Sequence, residues 1–323
     1  MTILVLRSLR CLVILCGLVA VGGPASASSI TGFNLVVFGD LDSNSEVEGK
    51  AFVGGDLLGP ASNYGTMLTL PADEVSLAVG GNIFASNVNI SAGAVNVDGD
   101  IGMGTNLNMN SGGDYAVGGA ILGNVNNGTE VASLDVPTLG QIESFYRSLS
   151  NSYASLTPNS SCEIDGGFRA LYAADPSVVN ELAVFELTAS QAFDLPSTVS
   201  QLAVALNNAN GIVINILGDT VSIPNTLNPV GEILSDAVRE RLVWNFPEAT
   251  SIDINPNFNG MVLAPNAALS NITAIDGQVI VDSFVQRGEV HLPLSVIIPE
   301  PAAGAYLLIA LGFAAGWRRR SHR

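Results

Sequence analysis

The sequence predicts an all-β-dominated fold: a right-handed β-helix (β-solenoid) with one flanking α-helix, an N-terminal signal-peptide helix and a C-terminal transmembrane helix. Three observations lead there. A five-residue phrase recurs as "VFGDL" at Val37, "VGGDL" at Val53, "VGGNI" at Val79, "VDGDI" at Val97 and "VGGAI" at Val117. Its spacings of 16, 26, 18 and 20 residues suit one coil in which short strands stack on counterparts above and below. Short runs between these phrases alternate apolar and polar residues at period two. Finally, the 323 residues include 34 glycines, with 6% aromatic and 13% charged residues, a composition that fits one large or two small folded units.

The elements follow in chain order. Arg7 and Arg10 precede an apolar run, Cys11 to Val21, and Ala25-Ser26-Ala27 supplies a small-residue cleavage pattern, so residues 1–27 read as a secretory signal cut before Ser28. Leu15 precedes Cys16 where a lipoprotein signal needs a small residue, and lipid attachment is not expected. The folded body is expected over 28–298. In "NVNIS", "VNVDG" and "NLNMN" the alternation turns Val88, Ile90, Val95, Val97, Leu107 and Met109 inward and leaves the asparagines outward or in turns. The glycines of the repeated phrase are expected to supply corners with positive φ.

One segment changes period. "PTLGQIESFYRSLSNSYASL" sets Ile142, Phe145, Tyr146, Leu149 and Tyr153 on one helical stripe, and Thr138 with Gln141 forms a capping box, so a helix is expected over about 139–154 along the flank. A shorter helix is expected near Glu232 to Arg241. A second phrase, "VEGKAFV" at Val47, returns as "FNGMVLA" at Phe258 and "IDGQVIV" at Ile275, which assigns both ends to one architecture.

The last segment, 299–323, joins three features. Pro299-Glu300-Pro301 is followed by 16 uncharged residues, Ala302 to Trp317, and then Arg318-Arg319-Arg320. As a helix the uncharged run is about 24 Å long, slightly short of a ~30 Å hydrocarbon layer. Trp317 marks an interface and the arginines the cytoplasmic side, with the body outside. This order resembles the PEP-CTERM protein-sorting signal. The resemblance implies recognition by an exosortase after export through the secretion machinery, with Pro299, Glu300, Pro301, Arg318, Arg319 and Arg320 as its residues. It also implies transient inner-membrane anchoring before release to the cell surface or matrix.

The body has its own resemblance. "FNLVVFGDLDSNSEVEGKAFVGGDL" and "LVWNFPEATSIDINPNFNGMVLAPNAALSNITAIDGQVIVDSF" resemble the choice-of-anchor A domain over Ile30 to Val296, with the weakest stretch at Asn159 to Ser200. The body is distantly similar to the β-solenoid with flanking helix of secreted ice-binding proteins. The resemblance implies an exported surface or matrix protein.

Charge and chemistry narrow the function. Residues 28–298 hold six basic side chains against 28 acidic ones, a net charge of −22, which repels phosphate backbones and argues against nucleic-acid binding. Cys162 is the one cysteine beyond the signal, so no intrachain disulfide framework is expected. His291 is the one histidine of the body, too few for a Ser-His-Asp site or a usual zinc site. No enzyme and no resident cofactor are expected. The weaker alternatives are a binding module for glycan, calcium or ice, and a polysaccharide hydrolase using two of the 28 carboxylates.

For calcium the candidates are Asp40, Asp42, Asn44 and Glu46 in "DLDSNSEVEG", where oxygen ligands alternate as at the start of a calcium loop. Ser45 and Ala51 break the EF-hand template. For a glycan or ice face the candidates are Asn87, Asn89, Asn96, Asn106, Asn108 and Asn110. Few aromatic residues accompany them to stack on sugars. Lys50, the one lysine, is a weak candidate for an isopeptide bond. Exopolysaccharide is the macromolecular partner this reading expects.

Overall fold

The computed structural model describes residues 30–296. The signal residues, with Ala25, Ala27 and Ser28, and the sorting segment, with Pro299 to Pro301, 302–317 and Arg318 to Arg320, lie outside the described residues.

Five levels of parallel strand open the domain: Phe33–Val37, Lys50–Val53, Val75–Val79, Ala94–Val97 and Asp114–Val117. Their register places Val37 beside Val53, Val53 beside Val79, Val79 beside Val97 and Val97 beside Val117. The repeated phrase is thus one position met on successive levels. Its last residue stacks in the same way, Leu41 on Leu57, then Ile83, Ile101 and Ile121.

The glycines of the phrase act differently from expectation. Gly54 and Gly80 do not have positive φ. A Cβ on Gly54 would lie 2.2 Å from the Phe38 carbonyl oxygen, and one on Gly80 2.6 Å from that of Gly54. What these positions require is close approach of backbone between levels, which only a missing side chain permits.

Among the described residues the strands form sheets of fifteen, eight and four strands, overwhelmingly parallel. The first strand sits inside the largest sheet, not at its edge. From Phe33–Val37 the chain climbs to Thr129–Glu130 at one end, then crosses to the other end, where Leu182–Thr188 is the edge strand. It returns through Gly211–Leu217, Leu242–Asn245 and Met261–Asn271 to Val279–Gln286, which pairs with the first strand through Leu35 and Val279. The second phrase marks this junction: Phe258, Ile275, Val290 and Val47 follow one another in register on the eight-stranded sheet.

Two apolar clusters hold the sheets. One fills the space between sheets and includes Val88, Ile90, Val95, Val97, Leu107 and Met109, all buried. The other lies between the largest sheet and helix α1 (Leu139–Ala154), where Ile142, Tyr146, Leu149 and Tyr153 are buried and Phe145 is partly so. The helix begins at Thr138 with the capping box that its sequence specifies. The sheet is therefore apolar on both faces beneath the helix, as parallel strands require when both are covered. Tyr146 donates its hydroxyl to the Ile30 carbonyl at 3.2 Å and accepts from Gln278 Nε2 at 3.2 Å, pinning the helix over the junction of first and last levels.

Two local features differ from the sequence reading. The helix expected at Glu232 to Arg241 is a 3-10 turn, Gly231–Leu234, followed by α3 (Asp236–Arg239). Ser235 between them is extended at φ −92° and ψ 143°, and its hydroxyl bonds back to the Glu232 carbonyl at 2.8 Å, an alternative to continuing the helix. The short helix α2 (Ala189–Phe193) was not anticipated, although Thr188 and Gln191 form a second capping box.

Candidate functional site

The eight-stranded sheet carries the most regular polar surface of the molecule. Ala61–Tyr64, Asn87–Ile90, Asn106–Met109 and Asn124–Asn126 pair in parallel, so Asn63, Asn89, Asn108 and Asn126 form one row and Asn87, Asn106 and Asn124 another. Alternation puts Val88, Leu107, Ile90 and Met109 inside and the amides outside. In the first row each amide donates to the one before it: Asn89 to Asn63 at 2.9 Å, Asn108 to Asn89 at 2.9 Å and Asn126 to Asn108 at 2.8 Å. In the second, Asn124 donates to Asn106 at 3.1 Å and Asn106 to Asn87 at 3.4 Å. Levels repeat at about 4.8 Å. Each link uses one of the two amide N–H bonds and one acceptor direction, and the Asn106 amide also donates to the Ser86 carbonyl at 3.4 Å.

Four of the six asparagines singled out from sequence are brought together here. Asn96 belongs to the largest sheet and donates to Asp98 at 2.8 Å, and Asn110 follows its strand, donating its backbone N–H to Ile90. Asn63, Asn124 and Asn126 complete the rows and were missed, although "NVN" at 124–126 repeats the pattern of "NVN" at 87–89. One aromatic side chain near the rows in sequence is exposed. Phe84 is 54% exposed, three residues before Asn87, with its ring against Gly102, where a Cβ would lie 2.6 Å from Phe84 Cδ1. Leu122 and Met103 are also exposed at this margin.

The acidic stretch has other employment. Asp40 Oδ1 accepts the Asp56 N–H at 2.8 Å, Asp56 accepts from Asn82 at 2.7 Å, Asn82 from Asp100 at 2.8 Å and Asp100 from Ala120 at 2.7 Å. The fourth residue of the repeated phrase is thus a corner ladder. Asp42 pairs with Arg287 at 3.0 Å, Asn44 donates its backbone N–H to Gln286, and the Glu46 carbonyl accepts from Gln286 Nε2 at 2.9 Å. The four are not gathered around one point. Among the described residues no three His, Cys, Asp or Glu side chains are grouped to hold a metal ion.

The remaining reactive groups are each engaged. His291 lies between Asp276 at 2.6 Å and Glu289 at 2.7 Å, and Asp276 also binds Arg239 at 3.1 Å. Lys50 forms an ion pair with Glu74. Cys162 is a half-buried free thiol pushed up to about 11 by burial. An apolar recess beside Trp244 has no acidic lining residue, and an open one beside Arg241 has only Glu181. Among the described residues no helix is long and apolar enough to cross a membrane.

The molecule is thus a stack of parallel strands whose two amide rows carry no charged side chain, set on a strongly acidic body. The chain belongs to the family described as "Putative Ice-binding-like adhesive domain", whose model matches residues 26–292. A second model, the PEP-CTERM protein-sorting motif, matches residues 298–320, which indicates export and surface sorting through the exosortase system. No curated protein and no solved structure matches the chain.

Proposed function

We propose that residues 28–298 form a right-handed β-solenoid that acts without catalysis or resident cofactor, adhering to neutral polysaccharide at the cell surface or in the extracellular matrix. Export uses residues 1–27. The segment 302–317 anchors the chain transiently in the inner membrane until exosortase processing at the motif headed by Pro299-Glu300-Pro301. The choice-of-anchor A resemblance supports the same placement.

The observation that carries the reading is the asparagine face. Its two rows bear no charged side chain, so a neutral polymer approaches without the repulsion that a net charge of −22 imposes on anionic ones. Regular amides offer hydrogen bonds to hydroxyls, and Phe84 offers a ring to an apolar sugar face. The non-catalytic reading draws on Asp40, Asp56 and Asp42, whose carboxylates bond backbone N–H groups and Arg287.

Co-sedimentation with matrix polysaccharide tests it. Binding is expected to fall about tenfold for Phe84→Ala and for Asn108→Asp, the latter placing a charge within the row, with polymer length unchanged throughout. Retention equal to wild type in both variants, or shortening of the polymer, defeats the reading. Because the family description names ice, the same variants belong in a recrystallisation assay.

A further inference from the structure

The two ends of the strand stack are built differently. At the end formed by Leu182–Thr188 the edge is capped: Asn159 accepts the Val184 N–H at 2.8 Å and donates to the Leu182 carbonyl at 3.0 Å, and its own N–H bonds the Val184 carbonyl. At the other end, Asn124–Asn126 and Thr129–Glu130 each have a neighbour on one side only. The Asn124 N–H is spent on the Thr105 carbonyl at 2.8 Å. A parallel ladder engages alternate residues on each side, so the N–H and C=O of Val125 point away from the stack.

The apolar interior also opens here. Leu57, Ile83 and Ile101 are fully buried, whereas Ile121, next in that column, is 39% exposed and Leu122 is 57% exposed. Val117 and Val125 are only partly buried. The corner ladder ends at Ala120, which has no side-chain oxygen for another level. Of the devices that shield natural edges, lysine and proline are missing from Val117 to Val131, and what shielding there is comes from the shortness of the two strands and the charge of Glu130.

We propose that this end is a self-association surface on which a second copy of the chain docks, last level against last level across a two-fold axis. The occupant must supply both strand hydrogen bonds and an apolar interior. The edge strands are the last of the parallel ladders that the chain builds between its own levels, and across a two-fold axis the identical edges meet antiparallel. Charge selects the same partner and orientation. From Val117 to Val131 the single charged residue is Glu130, so a two-fold contact joins nearly neutral ends and keeps two acidic bodies apart. Head-to-tail stacking meets the Asn159 cap and the acids Glu181 and Glu186 of the opposite end. A contact of identical surfaces closes at two copies.

The test is sedimentation velocity of the full chain in density-matched detergent over a concentration series, with hydrogen exchange on the same samples. Dimer is expected to accumulate with concentration while exchange at Val125 and Glu130 slows. Leu122→Lys and Thr129→Lys, both at exposed positions, are expected to weaken dimerisation at least about tenfold without changing monomer melting. A monomer with freely exchanging edge amides overturns the proposal. So does a monomer whose edge amides are protected, since another segment of the chain then covers them. A dimer that survives both substitutions places the contact elsewhere and overturns it equally.

Discussion

His291 sets one imidazole between the carboxylates of Asp276 and Glu289, with Glu48 close by and Arg239 on the far side of Asp276. Partial burial alone would lower its pKa, but the hydrogen bonds to Glu289 and Asp276, together with the Glu48 and Asp276 charges, raise it above the ordinary 6.5. A raised folded value means that the protonated form is favoured in the fold. The contribution is therefore complete below 6.5 and is lost as pH climbs through the raised value. Solvent screens this half-exposed site, so the effect is small. Urea unfolding of wild type and His291→Gln across that range should give a difference that favours wild type at acid pH and shrinks toward alkaline pH. A difference that stays flat removes the histidine from the stability of the junction between first and last levels.

At the scale of elements, two columns specify how the parallel strands stack: the glycines that let levels touch and the carboxyl or amide ladder that bonds them. Gly80→Ala puts a Cβ 2.6 Å from the Gly54 carbonyl oxygen, against backbone that cannot rotate away, and should cost about 1–3 kcal/mol. Asp56→Ala removes the acceptor for the Asn82 N–H and for Asn82 Nδ2 at 2.9 Å, costing about 1 kcal/mol at a partly exposed corner. Gly140→Ala, in helix α1 with nothing within 4 Å, should stabilise by about 0.5–1 kcal/mol. Midpoints in urea should rank the three in that order, and a Gly80→Ala protein as stable as wild type would show that the levels are not in tight contact. These columns were half legible. Valine and leucine positions recur visibly because the interior demands them on every level, whereas the ladder varies between Asp and Asn and ends in Ala120, so its shared role as acceptor for the next N–H emerges only with register. The asparagine face was legible where alternation is strict. At Asn63 the same row runs through "ASNY", whose inward residues are serine and tyrosine, and the apolar signal is lost. Ser235 shows the converse: an apolar spacing that suits a helix yields to a serine hydroxyl satisfied locally.

At the scale of the molecule, the chain enters its largest sheet in the middle and builds outward before closing from the far end, so no local spacing could reveal that Phe33–Val37 and Val279–Gln286 are neighbours. Across this frame lie 28 acidic residues against six basic ones, and five of the six basic side chains, Lys50, Arg147, Arg169, Arg239 and Arg287, form ion pairs. Most carboxylates therefore have no cationic partner. Self-repulsion of this kind destabilises the compact state and is screened over about 10 Å at 0.1 M salt. Salt also weakens the few ion pairs, but exposed pairs contribute little each, while the unpaired acids are several times more numerous. Relief of repulsion should win. The thermal midpoint is expected to rise with sodium chloride from low ionic strength, by about 2–4 °C for each kcal/mol gained. The same screening should promote the end-to-end dimer, since the contact is apolar and the repulsion lies between the bodies behind it. A midpoint that falls with salt would mean that the ion pairs outweigh the excess acids, and the body would then owe its cohesion to charge rather than to the buried columns between its levels.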